Sequence, residues 1–419
     1  MDINALKQLD QNDPLRRFRD EFHIPQRNGQ PCIYFCGNSL GLQPKQTEEY
    51  LKRELVAWQQ HGVEGHFTGD MPWVSYHEWA KKPLSHLVGA KEHEVQAVGS
   101  LTANLHFLLA SFYQPKGKRV KMIIESGAFP SDFYAAHSHM AMKGVNPEEH
   151  LIQLKAKDGG DYLPNEEVIA KIHELGDELA LVMMPGIQYY SGQFFDIKKI
   201  TEAAHAVGAF AGFDLAHAVG NMPMHLHDHQ VDFAVWCTYK YLNSGPGGIG
   251  GMYIHERHSA NKDFPRLSGW WGHDAKARFK MANEINPIPN IDGWQLSNAN
   301  VLSTAAHLAS LALFEEARIE NLRAKSVKMF NWLSNELKRF SDVIEIITPL
   351  NEPEHGAQLS LYVTSPDGKQ LFEKMSERGL IADWREPNVI RIAPTPMYNT
   401  FEELGLFVQL LEAVIDESK

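Results

Sequence analysis

The sequence predicts an α/β protein: a large domain built on a mostly parallel central sheet, carrying a smaller C-terminal α+β domain. Three observations lead there. From about residue 65 to 310, strand-like apolar runs alternate with helical stretches, the pattern of βαβ units. Those runs are nearly continuous in apolar residues, which implies burial on both faces. After about residue 300 the texture changes to long amphipathic helices and an alternating strand.

Taken in order, the N-terminal residues look helical and then looped. The turn-rich GNSLGLQP (37–44) separates the apolar piece IYF from a helix, KQTEEYLKRELVAWQQ. Six runs then read as strands of the sheet: MIIE (122–125), LIQL (151–154), LALVMMP (179–185), FAGFDLA (210–216), FAVWCT (233–238) and GMYIH (251–255). Helices are expected between several of them, over 165–175 and 196–208. VLSTAAHLASLALFEEARIENL (301–322) reads as one long helix with a wide apolar face. In MFNWLSNELKRF the residues Phe330, Leu333, Leu337 and Phe340 form one helical stripe. AQLSLYVT (357–364) alternates as a half-buried strand does. A helix, the strand NVIRIAP and a last helix follow, the last opening on the capping-box pair Thr400 and Glu403. The expected division is an N-terminal arm with helices joining the small domain (1–64), the large domain (65–310) and the small domain (311–419).

The chain of 419 residues has 43% hydrophobic and 22% charged residues, ordinary for a globular protein. Its net charge of −12 argues against a general nucleic-acid or anionic-membrane binder. Three cysteines are too few for a disulfide framework and fit a reducing compartment. No signal core and no membrane-length apolar run is present, so a cytoplasmic location is expected.

The chemistry concentrates at strand ends. Asp214 closes one apolar run, and Lys240 follows another, 26 residues on, before a glycine-rich turn. A lysine just past a buried strand is costly unless paired or neutralised, and there it can serve as an amine nucleophile. A pyridoxal-phosphate (PLP) enzyme needs such an amine for its Schiff base and an acid facing the pyridine nitrogen. For Asp214 alone a helix N-cap is the alternative. His217 stands beside it, and Tyr239 adjoins the lysine. GSLTANLHFLLASF leads small and hydroxyl residues into a helix, so Leu101 and Thr102 can offer N–H and hydroxyl groups to a phosphate. Taken alone, that stretch reads more simply as a plain N-cap. In AFPSDFY, Phe129 can stack on a flat ring, Ser131 can bond a phosphate, and Asp132 can cap a helix or meet a cofactor. Arg391 offers a fork for a carboxylate, with a surface ion pair as the alternative. Trp270 and Trp271 suggest a buried interface or a ring-binding wall. HLHDH (225–229) invites a zinc reading, but its spacing matches no zinc pattern and no partner cluster is evident; no metal is expected.

Together these motifs resemble kynureninase, a fold-type-I PLP-dependent enzyme in the class-V aminotransferase-like superfamily. The resemblance spans nearly the whole chain, through YFCGNSLGLQP, SLTANLH, AFPSD, YYSGQ, GFDLAHAVGN, WCTYKYLNSGPGG, GWWGH, RFKM, LSNAN and IRIAPTPMYN. A generic aminotransferase would share only the acid and the lysine. The resemblance implies hydrolysis of L-kynurenine or 3-hydroxy-L-kynurenine to anthranilate or 3-hydroxyanthranilate plus L-alanine, in tryptophan degradation with a possible link to NAD synthesis. It implies that Lys240 carries PLP, that Asp214 pairs with the ring nitrogen near His217, and that Phe129 and Asp132 lie at the ring. Leu101, Thr102, Ser131 and Tyr239 would hold the phosphate side, with Tyr239 also a proton donor. Trp271 and Asn298 would reach the site from the partner subunit of a homodimer. Arg391 would grip the substrate carboxylate. His66, Ser297 and Asn298 match relatives that favour the hydroxylated substrate. Pro185 stands where some relatives have a serine, so no side-chain donor carries over there. The rival readings are a desulfurase or transaminase of the same fold, a zinc hydrolase using HLHDH, and a catalytically dead binding protein.

Overall fold

The computed structural model describes residues 3–156, 160, 162–281 and 283–417. Its centre is a seven-stranded sheet formed by β1 (Val95–Ala97), β2 (Lys121–Glu125), β3 (Leu151–Leu154), β4 (Leu179–Pro185), β5 (Phe210–Asp214), β6 (Phe233–Cys237) and β7 (Gly250–Ile254), in the spatial order β1-β7-β6-β5-β4-β2-β3. The pairs from β3 to β6 are all parallel, while β7 runs antiparallel to both β6 and β1. Every residue of β6 and β7 is buried, as their unbroken apolar composition requires. Helices such as Asn165–Leu175 and Ile197–Ala206 connect the parallel strands. β1 is an element that the sequence pattern does not single out; EHEVQAV is too short and too charged to show a strand period.

A smaller sheet follows, with β8 (Ile344–Ile346), β9 (Leu359–Val363), β10 (Asp383–Arg385) and β11 (Val389–Ile392) in the order β8-β9-β11-β10, antiparallel throughout. Its core holds Phe330, Leu333, Leu337 and Phe340, the expected stripe, together with Leu6 and Phe35 from the N-terminal arm. The arm is also tied on by a parallel pairing of Ile33–Tyr34 with Leu380–Ile381. The last helix, Phe401–Asp416, begins with the full Thr400–Glu403 capping box.

Three expectations need correction. The long helix ends at Ala317, and a second runs Ile319–Leu337, because Arg318 takes φ +66°, a region that side-chain-bearing residues rarely enter. No glycine or proline marks that break. The division drawn at 310 falls inside the first of these helices, whose Leu311, Leu313 and Phe314 pack with the core of the large domain. The strand β9 is half-buried only in part: Tyr362 is exposed as alternation requires, but Ser360 is fully buried, and its hydroxyl donates to the Tyr190 carbonyl at 2.5 Å. The loop bearing Tyr190 covers that end of the face that alternation assigned to solvent.

Candidate active site

The C-terminal ends of β4, β5 and β6 open on one cavity of about 270 Å³. This is where ligands bind in open α/β sheets. Asp214 ends β5, and Lys240 lies in the bend after β6. That bend is closed by Ser244 N–H on the Thr238 carbonyl at 3.1 Å and Asn243 N–H on the Lys240 carbonyl at 3.0 Å. The arm braces it from outside, with Gly41 N–H on the Tyr239 carbonyl at 2.8 Å. A Cβ on Gly41 would come within 2.8 Å of Asn243 Cα and nearer still to the Lys240 carbonyl oxygen, so only glycine fits.

Lys240 Nζ lies 2.9 Å from His217 Nε2. Burial first, then the charges of Lys240, Arg391 and Arg385, push the His217 imidazole well below its ordinary pKa. The ring is therefore neutral, Nε2 accepts from the lysine, and the proton sits on Nδ1, which is buried without a partner. Asp214 and Asp132 are buried together. Burial raises both; the Asp214 charge raises Asp132 further, while the Lys240 charge and the Ala216 N–H on Asp214 Oδ1 at 2.7 Å favour an ionised Asp214. Asp132 is raised the more strongly of the two, so a proton taken up by the pair favours Asp132 and the negative charge favours Asp214. The N-cap alternative for Asp214 is not realised, since a turn follows β5 in place of a helix.

Two helices start at the cavity, Leu101–Phe112 and Pro130–Met142, and neither uses a side-chain cap. The hydroxyls of Thr102 and Ser131, from one helix each, meet at 2.7 Å. Unspent helix N–H groups with two hydroxyls suit an anion. Phe129 remains 45% exposed with its ring over the cavity, 5.8 Å from Lys240 Nζ. Tyr239 is half-buried, and burial raises its phenol above the ordinary range. Arg391, on β11, is only 1% exposed, so the surface ion-pair alternative fails. It bonds Asp383 and donates from Nη1 to the Tyr189 carbonyl at 2.6 Å.

Of the residues singled out in the sequence, Leu101, Thr102, Phe129, Ser131, Asp132, Asp214, His217, Tyr239, Lys240 and Arg391 all line this cavity, as does Pro185. His66, Trp271, Ser297 and Asn298 do not line it within this chain. Trp271 is buried under Arg278, whose guanidinium sits 4.2 Å from the ring centroid, while Ser297 and Asn298 are exposed. Sequence reasoning missed Asn38, Ser39, Gln188, Tyr189 and Arg385 in the lining. GNSLG and YYSGQ carried a signal, because turns so rich in polar residues beside buried strands need a reason to be there.

One histidine of HLHDH does meet a cluster. His227 joins Glu94 and His255, and their ligand-type atoms lie within 4.8 Å of one another. Those atoms mostly serve each other and the backbone: Glu94 accepts from Lys91 N–H at 3.0 Å and Glu256 N–H at 2.7 Å and lies 3.0 Å from His227 Nδ1, and His255 Nδ1 caps Arg257 N–H at 3.1 Å, while His255 Nε2 is buried without a partner. The cluster is a capping network that ties β7 to β1.

The residues at the cavity fit PLP. A hydroxyl pair at two helix starts suits its phosphate, an open aromatic face its ring, and a buried carboxylate its pyridinium. The orphaned His217 Nδ1 and Asp132 Oδ1 are buried polar atoms that a polar ligand would satisfy.

The fold recurs in known structures. A cysteine desulfurase from Thermococcus onnurineus matches with a TM-score of 0.75 at 17% identity, covering 92% of this chain and 95% of that one. A cystine C–S lyase solved with glycine covalently linked to its PLP cofactor matches with a TM-score of 0.76 at 15% identity, covering 91% and 96%. These likenesses show the fold, and the residues at the cavity fit the cofactor that the lyase carries. The kynureninase C-terminal domain model matches residues 322–411. Curated kynureninases from Flavobacterium johnsoniae and Myxococcus xanthus are 47% and 46% identical over 410 and 409 residues, each covering 97% of this chain and 96% of the relative. The chain belongs to the kynureninase family.

Proposed function

We propose that this enzyme hydrolyses L-kynurenine to anthranilate and L-alanine, and 3-hydroxy-L-kynurenine to 3-hydroxyanthranilate and L-alanine. The observation that carries the reading is one cavity holding Lys240, Asp214, Phe129 and Arg391 in a chain of this family. Lys240, Asp214, Phe129, Asp132, Thr102 and Ser131 would hold PLP, which supplies an electron sink conjugated to the substrate α-carbon. Asp214, whose charge Lys240 and the Ala216 N–H favour against burial, would hold a proton on the ring nitrogen. Lys240 Nζ removes the proton from Cα. Its neighbour His217, neutral at Nε2, can share that proton without adding a second charge. Arg391 fixes the α-carboxylate and so orients Cα. Water adds at the side-chain ketone; as the Cβ–Cγ bond breaks, the hydrate gives up one hydroxyl proton and becomes the anthranilate carboxyl group, and Lys240 Nζ returns its proton to Cα of the alanine. Tyr239, whose raised pKa keeps its proton on the phenol oxygen, returns a proton to Cβ. Tyr239→Phe should bind PLP normally yet turn over at least about tenfold more slowly; undiminished turnover removes Tyr239 from the mechanism.

The active unit is a homodimer with shared sites. Met281 (74% exposed) and Ile285 (79%) stand in the open beside half-exposed Trp270, and Phe67 packs edge-on to Phe279 at 6.2 Å. An apolar patch of that kind asks for a partner. The loops bearing His66, Trp271, Ser297 and Asn298 border it, so a second copy would bring them to the cavity. A polar set of this kind rewards a ring hydroxyl, and catalytic efficiency should be higher with 3-hydroxykynurenine than with kynurenine. Steady-state assays of fluorescent anthranilate and of alanine release test the reaction. A light-scattering mass of one chain, or better efficiency with kynurenine, would overturn the dimer or the preference respectively.

A further inference from the structure

Asp383 is a buried acid beside the cavity that the reaction does not yet use. β10 and β11 are paired so that Asp383 lies directly opposite Arg391, and Arg385 lies two residues along on the same face. The Asp383 carboxylate bonds Arg391 Nη2 and also accepts from Arg385 Nη2 at 3.0 Å. It is nearly buried, at 12% side-chain exposure, beside an Arg391 of 1%. Arg391 Nη1 is held from the other side by the Tyr189 carbonyl, yet Arg391 Nε and Arg385 Nε are buried without partners. A guanidinium has five N–H donors. Two of those of Arg391 are therefore pinned by the protein, and Nε is among those left unspent. Two arginines and one acid leave a net charge of one, the complement of a single carboxylate. Without the acid, two guanidiniums would face each other with no counter-charge between them.

We propose that Asp383 is a positioning residue: it aims Arg391 at the substrate α-carboxylate and holds Arg385 beside it as the second cation of that subsite. This rests on the kynurenine-hydrolysing reading above. Asp383→Asn keeps the shape and one acceptor but removes the charge that orients both forks. Kynurenine KM should rise about tenfold, the loss expected for one weakened charge-assisted bond, while kcat stays within about threefold. The visible band of bound PLP should not change. Because Asp383 acts through Arg391 and Arg385, adding Asp383→Asn to an enzyme already carrying Arg385→Ala and Arg391→Ala should change kcat/KM by less than about twofold, although Asp383→Asn alone lowers it. Effects that multiply in the combined variant, an unchanged KM in the single variant, or a variant that no longer folds around PLP would each overturn the role of Asp383. A wild-type enzyme inactive on kynurenine would instead overturn the functional reading, so the two failures are distinct.

Discussion

Replacing Gly41 by alanine sets one methyl group against the bend that carries Lys240. That methyl would stand 2.8 Å from Asn243 Cα and nearer still to the Lys240 carbonyl oxygen, and ordinary contact begins at 3.4 Å, so the two segments must part by about 1 Å. Both neighbours are backbone, so no rotamer change relieves the contact. Overpacking of this kind costs about 1–3 kcal/mol. The bond from Gly41 N–H to the Tyr239 carbonyl lengthens with it, and Tyr239 and Lys240 move relative to Asp214 and Phe129, which belong to other elements. A misplacement of about 1 Å can cost on the order of a hundredfold in rate, so this shift predicts a loss in kcat on the order of a hundredfold. Thermal unfolding of the PLP-loaded enzyme should fall by a few degrees, and kcat should drop with little change in KM. A Gly41→Ala enzyme with wild-type melting and kcat within twofold would show that the arm does not brace the lysine bend.

Asp214→Asn removes the ionised partner of the ring nitrogen and should lower kcat on the order of a hundredfold or more, with PLP still bound; a loss under fivefold would assign the acid's role elsewhere. Asp232 has a different task, holding Ala211 N–H at 2.7 Å where β5 begins. Burial pushes its carboxyl up, but hydrogen bonds from His205 and His258 and the Arg257 charge outweigh burial and hold it well below the ordinary range. With the folded pKa depressed, its stabilisation is complete above the unfolded value near 4 and is lost as pH falls through the folded value. Asp232→Ala should therefore cost about 3 kcal/mol in denaturant unfolding at pH 7, and less as the pH drops below 4. An equal cost at both pH values would contradict that sign.

Much of the fold was legible because the parallel strands are unbroken apolar runs and the final helix carries its cap in sequence. Ten cavity residues were legible for a related reason: an acid and a lysine at strand ends have few structural uses, and SLTANLH and AFPSD place hydroxyls at helix starts. What escaped the sequence was pairing between distant segments. Arg385 reaches the cavity, and Asp383 its edge, only through their cross-strand register with Arg391, and Asn38 arrives only through a bond to Gln358 at 2.9 Å. The break at Arg318 escaped because its cause is a backbone angle, with no residue type to announce it. His227 escaped as a member of a capping network because Glu94 lies 133 positions away.

The central claim is that Lys240, poised against His217 and the Asp214–Asp132 pair, is the amine that holds PLP. Borohydride reduction of the PLP-loaded enzyme, followed by peptide mass mapping, tests it most directly. The account predicts one phosphopyridoxyl group per chain, on Lys240, and none after Lys240→Ala. Label on another lysine, or no label on an enzyme that still releases anthranilate from kynurenine, would contradict it.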